Sequence, residues 1–163
     1  MVYSIRYHFR QCFSVPDHEA YRWCTNYDSR DHTLMHQDAE RQIIQTSDAT
    51  IILTDIFHTN DGRVEKQKLI QLYPNWLSWI STHLSGPNKY SQFIYRITAR
   101  NDNASDLDFT ALHLEYEKAY MDNKSIKLLS DKLRKEDSAV WKLLAKEMKK
   151  EIGKSTNKGS TKK

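Results

Sequence analysis

A chain of 163 residues with 39% apolar, 11% aromatic and 28% charged side chains suits one domain with its own core, not a disordered or fibrous polymer. No apolar run approaches the roughly 20 residues needed to cross a bilayer. The first 13 residues alternate polar and apolar side chains, unlike a signal peptide, so the expected location is the cytoplasm. Cys12 and Cys24 are too few for a disulfide framework and too isolated for a zinc site, so two reduced thiols are expected. The net charge of +4 is unevenly spread. Residues 124–163 carry 13 Lys/Arg against 5 Asp/Glu, while residues 1–123 carry 12 against 16. That basic end reads either as a solvated helix face with a solubilising tail or as a weak contact for an anionic surface.

The first element is a strand. Tyr3, Ile5, Tyr7, Phe9, Phe13 and Val15 fall at odd positions with Ser4, Arg6, His8 and Arg10 between them, so one face is buried and only Gln11 breaks it. Pro16 ends the strand and opens a helix, where its fixed φ suits a first turn and its missing N–H is not needed. Asp17 and Glu19 favour the positive end of that helix, and Ala20, Trp23 and Cys24 form a short apolar stripe. Asp28 begins a second short helical segment with Leu34 and Met35 as apolar anchors. Neither helix is long enough to stand alone, so both must pack on a sheet.

Six strands are expected next, at residues 41–46, 50–58, 63–73, 76–84, 90–100 and 107–116. Their connections are short: Ser47-Asp48-Ala49, Asn60-Asp61-Gly62, Pro74-Asn75, Ser85-Gly86-Pro87-Asn88 and residues 101–105. Asn60-Asp61-Gly62 is the strongest of these, because glycine supplies the positive φ that a tight hairpin needs. Connections this short imply antiparallel neighbours in sequence order. The face of 63–73 that turns inward is ambiguous, since both mix polar and apolar residues.

A long helix closes the chain. Asp122 or Ser125 offers a cap, and Ile126, Leu129, Leu133, Val140, Leu144, Met148 and Ile152 recur at three- and four-residue steps with Trp141 beside them and lysines opposite. Glu136-Asp137-Ser138 interrupts the stripe and is a place for a kink or a division. Gly153 is expected to end the helix, leaving 153–163 as a disordered basic tail after a domain of residues 1–152.

This order of elements resembles the helix-grip fold of the START-like superfamily, also called SRPBCC, which includes birch-pollen-allergen-like proteins, lipid-transfer START domains and polyketide cyclase/dehydrase-like proteins. Two segments carry the resemblance. Val15-Pro16-Asp17-His18-Glu19-Ala20-Tyr21-Arg22-Trp23-Cys24-Thr25-Asn26-Tyr27-Asp28 looks like the superfamily's opening strand and Pro-led helix, with Asn26 where Asp is common. Leu77-Ser78-Trp79-Ile80-Ser81-Thr82-His83-Leu84-Ser85-Gly86-Pro87 resembles the strand after its proline turn. The resemblance implies an α+β helix-grip fold: a curved seven-stranded antiparallel sheet, two short helices after the first strand and one long C-terminal helix. It implies a cavity between sheet and helix, and it supports a fold far better than an activity.

On that plan the cavity lining is expected from Tyr7, Phe9, Trp23, Phe93, Tyr95, Ile97, Leu133, Val140, Trp141 and Leu144. A tyrosine-rich wall suits a small hydrophobic or amphipathic ligand, lipid-like or polycyclic, bound without chemistry. The same aromatics could equally fill a solid core. Two alternatives stand beside the carrier reading: a polyketide cyclase- or dehydratase-like enzyme using cavity His, Asp/Glu or Tyr, and an interaction module using the basic C-terminus. No catalytic set stands out. Asp55 and His58 have opposite parity, His113 and Glu115 share a face, and neither spacing defines a dyad. His32 and His36 are four apart with Asp28 and Asp31 upstream, a spacing that can share a metal, but a catalytic zinc site also wants a third ligand and usually a carboxylate base, and no His-Glu-x-x-His occurs, so surface histidines are the plainer reading. No cofactor and no specific nucleic acid is expected, since aromatics are not interleaved with the basic residues. A monomer or weak dimer is expected.

Overall fold

The computed structural model describes residues 1–27 and 39–158. The strands are β1 (Val2–Phe13), β2 (Ala39–Ser47), β3 (Thr50–Thr59), β4 (Gly62–Tyr73), β5 (Ser78–His83), β6 (Gln92–Asn101) and β7 (Ala104–Tyr116). Helix α1 (Asp17–Cys24) follows β1, and helix α2 (Asn123–Lys158) closes the chain. The seven strands form one antiparallel sheet in the order β1-β7-β6-β5-β4-β3-β2. From β2 to β7 this is a meander, and β1 is added beside β7. Helix α2 packs along β1, and α1 packs against β6 and β7. The expected second short helix, with His32 and His36, lies outside the described residues.

Period two carries through the sheet. Ile5, Tyr7, Phe9 and Phe13 of β1 are buried, and their neighbours Arg6, His8 and Arg10 are exposed. In β4 the inner face holds Lys68, Ile70 and Leu72, which explains why its parity was unreadable: a lysine stands on the core side. Pro74–Trp76 forms a single 3-10 turn, and Leu77 takes φ +46°, so the fifth strand starts at Ser78, two residues later than expected. The β3–β4 hairpin turns at Asn60-Asp61, with Gly62 at φ +120°.

Helix α2 departs from expectation at two points. Glu136-Asp137-Ser138 does not divide it. Nor does Gly153 end it: the helix runs on to Lys158, because Gly153 is not in the left-handed conformation that a glycine stop adopts. Residues 153–158 are therefore helical rather than part of a tail. The start is as expected, with the Asp122 Oδ1 accepting from the Ser125 backbone N–H at 2.8 Å. At 36 residues the helix is about 54 Å long, enough to cross the sheet.

The core has two halves. One gathers Phe13, Val15, Ala20, Leu53, Ile70, Trp79, Ile97, Leu107 and Met148, where α1 and the end of α2 meet the sheet. The other gathers Ile5, Tyr7, Phe9, Phe93, Phe109 and Ala111 under the start of α2. Tyr95 and Trp141 pack against both.

Candidate functional site: an aromatic cavity beneath the long helix

Between the two halves lies a cavity of about 290 Å³, lined by residues that include Trp23, Tyr27, Lys68, Trp79, His83, Phe93, Tyr95, Phe109, Asp137 and Trp141. Its floor follows from strand register. Trp79 stands opposite Tyr95, Tyr95 opposite Phe109, and Phe109 opposite Phe9, so one row of rings crosses four strands. Trp79 and Tyr95 stack at 4.7 Å between centroids, Tyr95 meets Phe109 edge-on at 5.2 Å, and Phe9 stacks on Phe109 at 4.6 Å. The roof is α2, which presents Asp137, Val140, Trp141 and Leu144 at the three- and four-residue steps of one helix face. Helix α1 closes one side with Trp23, whose indole N–H donates to Glu151 of α2 at 2.8 Å.

Polar groups sit at separate places around these rings. The Tyr7 hydroxyl donates to the Asp137 carboxylate at 2.7 Å, from strand to helix. Burial pushes the Asp137 carboxyl above the usual carboxylate range despite that bond. Burial first, and then the Asp137 carboxylate, raise the Tyr7 phenol, and Tyr95 is raised for the same two reasons. Both tyrosines are therefore neutral donors. Elsewhere, Asp55 has no solvent exposure and holds two cations: its Oδ1 accepts from Arg41 Nε at 2.7 Å and its Oδ2 from Lys68 Nζ at 2.9 Å. Beside Lys68, the His83 ring meets Asn88 Oδ1 through Nδ1 at 3.0 Å. Burial pushes this imidazole down to about 4, against the opposing effect of the Asn88 bond.

Of the ten residues expected to line a cavity, Trp23, Phe93, Tyr95, Val140, Trp141 and Leu144 do so. Tyr7, Phe9, Ile97 and Leu133 also turn inward but lie in the packed core, because there the helix and the neighbouring strands leave no space above them. The inner polar residues Asp137, Lys68, Arg41, Asp55 and His83 were not anticipated as a set. Two signals were available: the interrupted stripe at Asp137, since Leu133, Asp137, Val140, Trp141 and Leu144 share a helical face, and the mixed faces of residues 63–73, which hold Lys68. His113 does meet Glu115, at 2.9 Å. No cluster of metal-ligating side chains occurs among the described residues. An open depression of about 750 Å³ lies on the outside at Glu19, Arg22, Trp23, Thr25, Asn26, Glu151 and Ile152, with polar and apolar lining in equal measure.

No family model matches the chain, and no curated protein matches its sequence. Solved structures match over nearly the whole length. The Zhui aromatase/cyclase from Streptomyces sp. R1128 superposes with a TM-score of 0.73 at 6% identity, covering 92% of this chain and 96% of that one. The protein of unknown function SA2116 from Staphylococcus aureus gives 0.71 at 11% identity, covering 96% and 98%. The allergen Ara h 8.0201 gives 0.67 at 9% identity, covering 91% and 98%. This is the helix-grip fold. Its neighbours here are START-like (SRPBCC) proteins, both cyclases and allergens, and at such identities the likeness is one of fold. In helix-grip terms the aromatic row is the gripped side of the sheet and α2 is the grip. No helix among the described residues is long and apolar enough to cross a membrane.

Proposed function

We propose that the chain binds a small amphipathic molecule, carrying one or two aromatic rings, between the sheet and α2. The observation that carries this reading is the row of rings Trp79–Tyr95–Phe109, which together with Trp141 of α2 lines a cavity edged by polar groups. Rings offer flat apolar faces to a ligand ring, and the polar groups orient it. A volume of about 290 Å³ is at the small end of ligand sites, so a fused bicycle suits it better than a long acyl chain or a four-ring polycycle. Organic extraction of protein purified from its own host, with native mass spectrometry before and after, should recover one small aromatic species. An empty protein that also fails to bind simple naphthalene derivatives would sink the reading.

One observation favours a second reading, acid–base catalysis in the same cavity. Asp137 on the helix and His83 on the sheet both line it, with carboxyl and imidazole shifted by burial in opposite directions. Groups placed this way can move protons on a bound phenol or ketone. The two readings separate in the extraction experiment: a carrier returns its ligand unchanged on incubation, whereas an enzyme converts it.

A further inference from the structure

Two polar atoms at the cavity are of opposite kind, and neither meets a partner among the described residues. The first is the Tyr95 hydroxyl. Its ring is fixed by its stack on Trp79, its edge-on contact with Phe109 and a tilted contact with Trp141 of α2 at 5.6 Å between centroids. Burial keeps the phenol neutral, so it has a proton to donate. Among the described residues no hydrogen bond takes that proton. The second atom is Oδ1 of Asp137. Its companion Oδ2 accepts from the Tyr7 hydroxyl at 2.7 Å, and no described donor reaches Oδ1. Neither atom is sealed in the core, and both residues line the cavity.

The donor and the acceptor belong to opposite walls. Tyr95 stands on β6 in the floor, and Asp137 on α2 in the roof. Asp137 and Trp141 are four residues apart, so they share one face of the helix about a turn from each other. The contact of Tyr95 with Trp141 therefore brings its ring to the same stretch of α2. The Asp137 carboxylate acts on the Tyr95 phenol through space, but no bond joins them. Between aromatic walls, an unmet hydroxyl and an unmet carboxylate oxygen are each costly. One small group that both accepts and donates satisfies the pair.

Resting on the reading that the cavity holds an amphipathic aromatic molecule, we propose that this molecule is a neutral hydroxyarene whose hydroxyl accepts from the Tyr95 hydroxyl and donates to Asp137 Oδ1. Its rings lie among the aromatic side chains of the floor and Trp141. The alternatives match the pair less well. A carboxylate sets a second negative charge beside Asp137. A ketone accepts from Tyr95 but brings no proton for Asp137, and an arylammonium donates to Asp137 but cannot accept from Tyr95. A hydrocarbon leaves both atoms unmet.

Equilibrium dialysis of the full chain with 2-naphthol, 2-methoxynaphthalene and 2-methylnaphthalene tests this. The three share a ring system, but the first accepts and donates, the second only accepts and the third does neither. 2-Naphthol should bind about tenfold tighter than 2-methylnaphthalene and at least about threefold tighter than 2-methoxynaphthalene, the scale of hydrogen bonds gained. Tyr95→Phe should lower the 2-naphthol affinity about three- to tenfold and leave that of 2-methylnaphthalene within about twofold. If 2-methylnaphthalene binds the unaltered protein as tightly as 2-naphthol or more so, the hydroxyl assignment is overturned and the cavity reading stands. Failure of all three to bind overturns both. Equal affinity for 2-methoxynaphthalene and 2-naphthol removes Asp137 as the acceptor. A 2-naphthol preference that survives in a folded Tyr95→Phe variant removes Tyr95 as the donor. Should that variant not fold, the three-ligand comparison in the unaltered protein still decides.

Discussion

Asp137 shows how a residue can weaken the fold at a site. Its carboxyl is raised by burial, so the native state holds that proton more tightly than the unfolded chain does. Its contribution is therefore complete below the unfolded value near 3.8 and declines as pH rises through the higher native one. Asp137→Asn keeps an oxygen for the Tyr7 hydroxyl and removes the charge. At pH 7 the variant should be more stable by about 1 kcal/mol, the scale of burying an imperfectly compensated polar group, and equal to the parent at pH 3. Urea melts at the two pH values measure this, and a loss of stability at pH 7 would contradict it. His83 has the opposite sign. Its imidazole falls from 6.5 to about 4 on folding, so its contribution is present above 6.5 and is lost as pH falls towards 4. That window is worth at most about 3 kcal/mol, less to the extent that solvent reaches the ring. His83→Gln should flatten the acid side of the stability curve between pH 6.5 and 4, and an unchanged slope would show the ring to be more solvated than its surroundings indicate.

Among the elements, α2 is the one whose sequence signals conflict. Its apolar stripe and Asp122 cap were readable, but Asp137 looked like a break and Gly153 like an end. Both are answered by packing. Asp137 is tolerated on the inner face because Tyr7 of β1 donates to it. Gly153 is carried inside the helix because Met148 and Ile152, in the turn before it, are held by the first core half. A Cβ at Gly153 would meet nothing within 4 Å. Gly153→Ala should therefore stabilise the chain by about 0.5–1 kcal/mol, read as a higher melting temperature. A glycine in a left-handed stop would give the opposite sign. Strand β4 is the parallel case: its hydrophobic pattern is blurred because Lys68 turns inward to Asp55, and only the partner strand reveals why. The same holds for β5, where Leu77 at φ +46° delays the strand beyond what residue types indicate.

At the scale of the whole molecule, Trp141 joins what would otherwise be two cores. It contacts Phe13 at 6.2 Å and Tyr95 at 5.6 Å between ring centroids and packs against both halves. Trp141→Ala should cost about 3 kcal/mol and enlarge the cavity, so that a three-ring aromatic gains affinity relative to a two-ring one. A chemical melt and a pair of titrations check the two effects, and a cheap substitution with unchanged ligand preference would mean that the helix collapses onto the sheet. The order of strands, the short turns, the Pro-led α1 and the long amphipathic α2 were all determined by sequence, because period, turn chemistry and capping are local properties. That is why the helix-grip fold could be anticipated. The basic back of α2 was likewise legible, and its lysines at 124, 127, 132, 142, 146 and 149 are all exposed. Only the tertiary structure decided where the inner aromatics pack solid and where they leave space, since that depends on how closely α2 approaches each row of the sheet. It alone brought Asp55, Arg41 and Lys68 together from three strands and set Asp137 against Tyr7, 130 residues away. Charges that find partners across a fold look, in one dimension, like breaks in a pattern.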